Sequence, residues 1–268
     1  TLDSDGLLTV SGTGTMDYGD SSKIWTDKRD EVKTAVLKPG VTSIGFAAFN
    51  ACVNLTNITI PESVTSIEAV AFGDCTALKS VVLPAGITKI DDYTFSGCTE
   101  LEDITLPVGV TSIGKSAFNG CKNLTSIMLP ESVTSIGEIA FGRCGLTDIT
   151  IPEGVTRIEP SAFWSSSLTS IALPKSVTSI GKNAFEDCND LISITLPENV
   201  TCVEYGAFLD CKGLTSITLP VGVTKIEVNA FFGCKQLTDV YYDGTKEQWN
   251  DIDIGKNNDP LINATIHY

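Results

Sequence analysis

Apolar residues recur along this chain at fixed places in a unit that repeats almost end to end, as in the steps from Leu101 to Leu124 and from Leu124 to Leu146. In the unit that begins at Leu124 they are Leu124, Ile127, Leu129, Val133, Ile136, Ala140, Phe141 and Cys144, at positions 1, 4, 6, 10, 13, 17, 18 and 21. The phenylalanine returns at the same step from Phe49 through Phe72 and Phe95 to Phe231, and the proline at position 7 from Pro61 to Pro220. A fixed period of this length predicts a solenoid, in which each coil buries its apolar side against its neighbours. Positions 4 and 6 alternate with polar residues, the period-two pattern of a half-buried strand. Proline at position 7 cannot donate a ladder hydrogen bond and ends that strand. The β-branched pair at positions 10 and 13 predicts a second short extended segment. The Ala-Phe stretch is too short for a free helix and reads as one helical or 3₁₀ turn whose rings stack in a column.

The fold class expected is therefore mainly β with short helical or 3₁₀ turns, in three parts. Residues 1–31 form an N-terminal cap, 32–242 an array of about nine coils, and 243–268 a C-terminal cap. The caps depart from the repeat because an end coil must cover its outer apolar side. At the N-terminus Leu7–Val10 has strand composition, residues 14–20 read as loop, and Trp25 reads as a cap residue, with a binding role as the alternative. At the C-terminus Thr245-Lys-Glu-Gln248 resembles a capping box opening a short helix with Trp249, and residues 264–268 read as a final strand. Two coils are one residue short: Phe141 to Leu146 and Phe163 to Leu168 each span five steps, where Phe118 to Leu124 spans six. The deletion falls in the turn after the phenylalanine, where length is best tolerated, and reads as local drift, with tuned curvature or a contact site as the alternatives.

Charge and cysteine content narrow the function classes. A net charge of −15, from 33 acidic and 18 basic residues, opposes nucleic-acid binding and electrostatic docking on anionic lipid. No apolar run approaches the roughly 20 residues of a membrane span. Eight of the nine cysteines fall on position 21, from Cys52 to Cys234, with Ser166 in their place in one coil. Stacked coils set equivalent side chains about 4.8 Å apart, wider than the Cβ separation of about 3.8 Å in a disulfide. The pattern reads as a ladder of buried free thiols, against bridges or a metal site as alternatives. With no CxxC pair and one histidine, His267, zinc ligation is disfavoured. The same lone histidine leaves no Ser-His-Asp or Cys-His set, and no carboxylate pair stands out, so no catalytic residue and no cofactor are expected. Asp3-x-Asp5-Gly6 and Asp251-x-Asp253 have a faint calcium-loop character but lack the bidentate Glu of an EF-hand.

The unit Leu-x-x-Ile-x-Leu-Pro-x-x-Val-Thr-x-Ile-x-x-x-Ala-Phe-x-x-Cys resembles the BspA-type leucine-rich repeat family, found on surfaces and in secretions of host-associated bacteria and in some protists. The resemblance covers about Val32 to Tyr242, and the flanks Leu7–Met16 and Val240–Trp249 are similar to segments that bracket such arrays. It implies a curved right-handed solenoid, exported, non-catalytic, acting in adhesion or protein binding. Export leaves the protein secreted or at the cell surface, with the signal and anchor expected outside this segment, and no membrane insertion within it.

Positions 3 and 5 of each coil point away from the core and form a continuous face. It is mostly Ser and Thr; Asp103, Thr105, Ser126, Met128, Asp148 and Thr150 near the middle, and Tyr241 at the end, are the candidate ligand-binding residues. Trp164, Tyr93 and Tyr205 lie near the Ala-Phe turn and offer a contact on the other side. The expected partner of a monomeric chain is a host or bacterial surface protein. A glycan is the alternative ligand, and a spacer that presents other domains the alternative role.

Overall fold

The computed structural model describes residues 1–16 and 26–268. Trp25, read as a cap residue, lies outside them.

The chain is a solenoid whose strands pair in parallel with the equivalent strands of neighbouring coils, in six sheets of two to five strands among the described residues. One row carries the strand at positions 3–5, as in Asn57–Thr59, Asp103–Thr105 and Ser193–Thr195. A second row carries two-residue strands that end on the isoleucine or valine at position 13, such as Ser112–Ile113 and Cys202–Val203. Between the rows lies one continuous apolar core. The nine phenylalanines of the column from Phe49 to Phe231 are all fully buried, with adjacent ring centroids 5.2–5.7 Å apart. Interplanar angles of 1–15° make it one nearly parallel stack.

The Ala-Phe stretch is not the helical turn that its length and composition suggest. It is a chain of tight turns with left-handed residues at positions 16 and 20, for example Ile139 (φ 56°) and Arg143 (φ 51°). The Ala140 N–H donates to Gly137 O and the Cys144 N–H to Phe141 O, each closing a turn whose third residue has positive φ. Alternate amides between them reach the next coil instead, Phe141 N to Ala162 O and Arg143 N to Trp164 O at 2.9 and 2.7 Å, as Phe118 N does to Ala140 O one coil earlier. A helix would spend those amides within the coil, so coil-to-coil bonding selects the turn chain.

The cysteines are free, and those at position 21 are buried; Cys202, outside the ladder, is half-buried. The ladder thiols from Cys75 to Cys234 each donate to a backbone carbonyl. Cys75 donates to Phe49 O at 3.0 Å and Cys211 to Phe185 O at 3.0 Å, each supplying the preceding coil's turn carbonyl with a second donor. Where serine replaces cysteine, Ser166 Oγ meets Cys188 Sγ at 3.4 Å. Burial pushes the thiols of Cys98, Cys144 and Cys188 up to about 12 and that of Cys52 to about 11.

Both end segments continue the strand rows while abandoning the sequence motif, which brings the solenoid to about 11 turns. Leu7–Val10 pairs with Thr34–Leu37, and Gly14–Met16, inside the stretch expected to be loop, pairs with Val41–Ile44 across a bulge. Thr265–His267 pairs with Asp239–Tyr241, and Asp253–Ile254 with Lys225–Ile226. The capping box forms: Thr245 Oγ1 accepts from Gln248 N, and Gln248 Oε1 from Thr245 N, at the start of the helix Lys246–Asn250. Asn258, 1% exposed, closes the core. Its Oδ1 accepts from Phe231 N at 2.9 Å, in place of the next coil's carbonyl, and its Nδ2 donates to Glu227 O and Gly255 O. At the other end Asp3 Oδ1 accepts from the amides of Asp5 and Leu7, so the carboxylate closes a turn.

Candidate functional site

The row at positions 3–5 places every sequence-predicted site residue in solvent. Asp103 and Thr105 flank buried Ile104, Ser126 and Met128 flank Ile127, and Asp148 and Thr150 flank Ile149. Met128 is 86% exposed and Val82, two coils earlier on the same line, 78%. A large apolar side chain so exposed costs solvation, and its place among hydroxyl groups makes it the distinctive feature of this face.

The strand row is broken under these residues. The sequence pattern predicts a strand in every coil, yet those beginning at Leu124, Leu146 and Leu168 have none, only an isolated bridge between Thr150 and Ala172. The second row is divided between Ser135–Ile136 and Arg157–Ile158 and again between Ser66–Ile67 and Lys89–Ile90, and the first row has another break between Asn57–Thr59 and Ser80–Val82. The longest interruption coincides with the two shortened turns, whereas the one between the coils at Leu55 and Leu78 has no shortened turn beside it. Position-2 threonines bridge the break. Thr147 donates to Thr125 O through its amide and its hydroxyl, and Thr169 does the same to Thr147 O, at 2.8–3.4 Å.

An open groove of about 470 Å³ adjoins the middle of the face. Ser170, Ala172, Ser193 and Thr195 form its floor, and Lys175 and Glu198 are at its edge. Thr150 is bridged to Ala172, so the last residue of the cluster borders the groove. Sequence reasoning missed Lys175 and Glu198, which follow the proline turn and carry no strand pattern.

Tyr241 does not join this cluster. It stands five coils beyond Met128, and each coil adds about 4.8 Å. There it stacks on His267, with centroids 4.6 Å apart and planes 15° from parallel. His267 Nε2 lies 2.7 Å from Asp239 Oδ1, and Thr238 donates to Asp239 Oδ2 at 2.8 Å. Those hydrogen bonds, His267 first, hold the Asp239 carboxyl below its ordinary value. His267, read as a partly exposed cap residue, thus builds a second platform at the end of the same face. The step from Asp239 to His267 lies outside the period and left no signal for it. On the turn side, Tyr205 accepts from Asn229 Nδ2 at 3.0 Å and Lys182 Nζ sits 5.1 Å over its ring.

No helix among the described residues is long and apolar enough to cross a membrane. A family model described as BspA type leucine rich repeat region matches residues 28–144 and 156–251 in six copies. Similar solved structures are bacterial. A leucine-rich repeat protein from Eubacterium ventriosum is 27% identical with a TM-score of 0.51, covering 100% of this chain and 92% of that one. A leucine rich cell surface protein from Faecalibacterium prausnitzii is 26% identical with a TM-score of 0.47, covering 94% and 95%. No curated protein matches the chain.

Proposed function

The chain belongs to the BspA-type leucine-rich repeat family, and from that premise we propose that it is a non-catalytic binding module of the bacterial surface or its secretions, which engages a protein through the strand face. The observation that carries this reading is Met128, 86% exposed, with Asp103 and Asp148 in the coils on either side and the groove two coils further along the same face. An apolar centre with carboxylates on either side suits a partner patch that offers an apolar side chain ringed by Lys or Arg. Such a patch is chemistry that host matrix and bacterial surface proteins both present. The hydroxyl groups of Thr105, Ser126 and Thr150 would complete a polar rim.

The test is a binding screen of the purified chain against surface and matrix proteins, repeated with Met128→Glu, Asp103→Lys and Asp148→Lys. Burying Met128 at the centre of an interface predicts a loss of about 1–2 kcal/mol or more on Met128→Glu, about tenfold in Kd. Binding unchanged in all three variants would move the site off this face. Absence of any protein ligand would favour a spacer that presents other domains, which the largely uniform Ser and Thr surface also suits.

A further inference from the structure

In seven coils a side chain or glycine at position 23 follows the ladder residue, from Asn54 to Asn123 and again from Asp190 to Gln236. The coils ending at Gly145 and Ser167 lack that position. In the first of them the Gly145 α-carbon lies so near the Lys122 carbonyl that any Cβ there would clash. The two consecutive gaps leave an open notch of about 370 Å³ in the flank of the solenoid. Its walls carry Lys122 and Arg143, with Ser165 and Ser167 opposite.

The chemistry of the notch is opposite to that of the rest of the molecule. In a chain of net charge −15 it gathers two exposed cations, neither of which forms an ion pair with a carboxylate among the described residues. Arg143 is held in place: its guanidinium lies 4.3 Å over the Trp164 ring, which fixes the plane and leaves the N–H edges to a ligand. Those edges match a carboxylate in the bidentate geometry that arginine favours. The local backbone amides are already used, Gly145 N by Cys121 O and Ser167 N by Cys144 O, so an extended peptide would find no main-chain pairing here. A compact ligand that carries its own hydroxyl groups loses nothing by that. The volume is at the small end of ligand sites, the size of one sugar ring.

We propose that this notch binds a carboxylate-bearing sugar, the terminal acidic residue of a glycan, with Arg143 and Lys122 on the carboxylate and Ser165 and Ser167 on ring hydroxyls. The site is separate from the strand face and stands whether or not that face binds a protein.

The test is an NMR titration of the full chain with N-acetylneuraminic acid and glucuronic acid, reading the Trp164 indole N–H, which Trp164→Phe assigns. The methyl esters of the two acids, with the same ring and no charge, are the controls. Expected is a saturable shift with at least one acid, little with its ester, and affinity reduced about tenfold or more in Arg143→Gln and in Lys122→Gln. Both substitutions change exposed side chains, and unchanged spectra away from the notch verify the fold. No saturable shift, equal shifts with acid and ester, or undiminished affinity in both variants would overturn the proposal. So would tighter saturation of the same resonance by a short Glu-containing peptide.

Discussion

Replacing Phe141 by alanine tests whether the ring column holds the coils together. Phe141 is fully buried, with Phe118 at 5.5 Å on one side and Phe163 at 5.7 Å on the other. Removing the ring loses a transfer contribution of roughly 1.5–3 kcal/mol and two ring contacts of about 0.5–1.5 kcal/mol each. Collapse into the gap is opposed because the turn backbone is bonded on both sides, Phe118 N to Ala140 O and Phe141 N to Ala162 O. The cost should therefore lie in the range of about 3–5 kcal/mol typical of buried phenylalanine. Phe231 is the control. It is as fully buried, since the C-terminal segment covers the core, but has one ring neighbour among the described residues, Phe208 at 5.2 Å. Phe231→Ala should be milder than Phe141→Ala by one ring contact, about 0.5–1.5 kcal/mol. Urea unfolding followed by circular dichroism measures both, with hydrogen exchange at the flanking coils to detect partial unfolding. An equal or larger cost at Phe231, or less than about 2 kcal/mol at Phe141, would refute the column as the main source of coil-to-coil cohesion.

Further outcomes follow from individual contacts. Asn258→Ala should cost about 1–3 kcal/mol in the same urea assay, because it strands the buried Phe231 amide. Gly145→Ala should destabilise by about 1–3 kcal/mol through the clash of the added carbon with the Lys122 carbonyl. Gly109→Ala, where the nearest atom is 3.9 Å from the added carbon, should be tolerated. Ile139→Asn should stabilise by roughly 1 kcal/mol, since a β-branched residue is strained in the left-handed region and the equivalent position already holds asparagine at Asn183 and Asn229. The ladder thiols titrate at about 9 when unfolded and, for Cys98, Cys144 and Cys188, at about 12 when folded. Below pH 9 they are protonated in both states; above it the unfolded thiols ionise first, so stability should fall as pH rises from about 9 toward about 12. Each such thiol contributes a slope of about 1.4 kcal/mol per pH unit. Urea midpoints at pH 8 and 10 check this, and a disulfide reagent at pH 8 should label Cys202 well before the others.

The solenoid was legible because the same core must be filled in every coil, which forces the same apolar residue types at the same spacing. Conformation at positions 16 and 20 was not legible for the converse reason. Ala47, Tyr93, Ile139 and Asn183 share one left-handed geometry with no chemistry in common, because amides such as Phe118 N reach forward to the next coil. The broken strand row escaped notice because its inward residues, Ile127, Ile149 and Ile171, keep the alternating pattern whether or not the backbones pair. The end coils pair by backbone, as at Asp239 with Thr265, and so need no shared motif; that is why the Tyr241–His267 platform had no signature in the period. Only the shortened turns were visible without a pattern of their own, as a step of five where six is the rule. The shortened turns border the cationic notch, within the stretch where the coils that carry Met128 and Asp148 form no strand. The shortened turns and the unpaired strands thus share one stretch on two sides of the solenoid, and stacked coils around one core do not adjust independently.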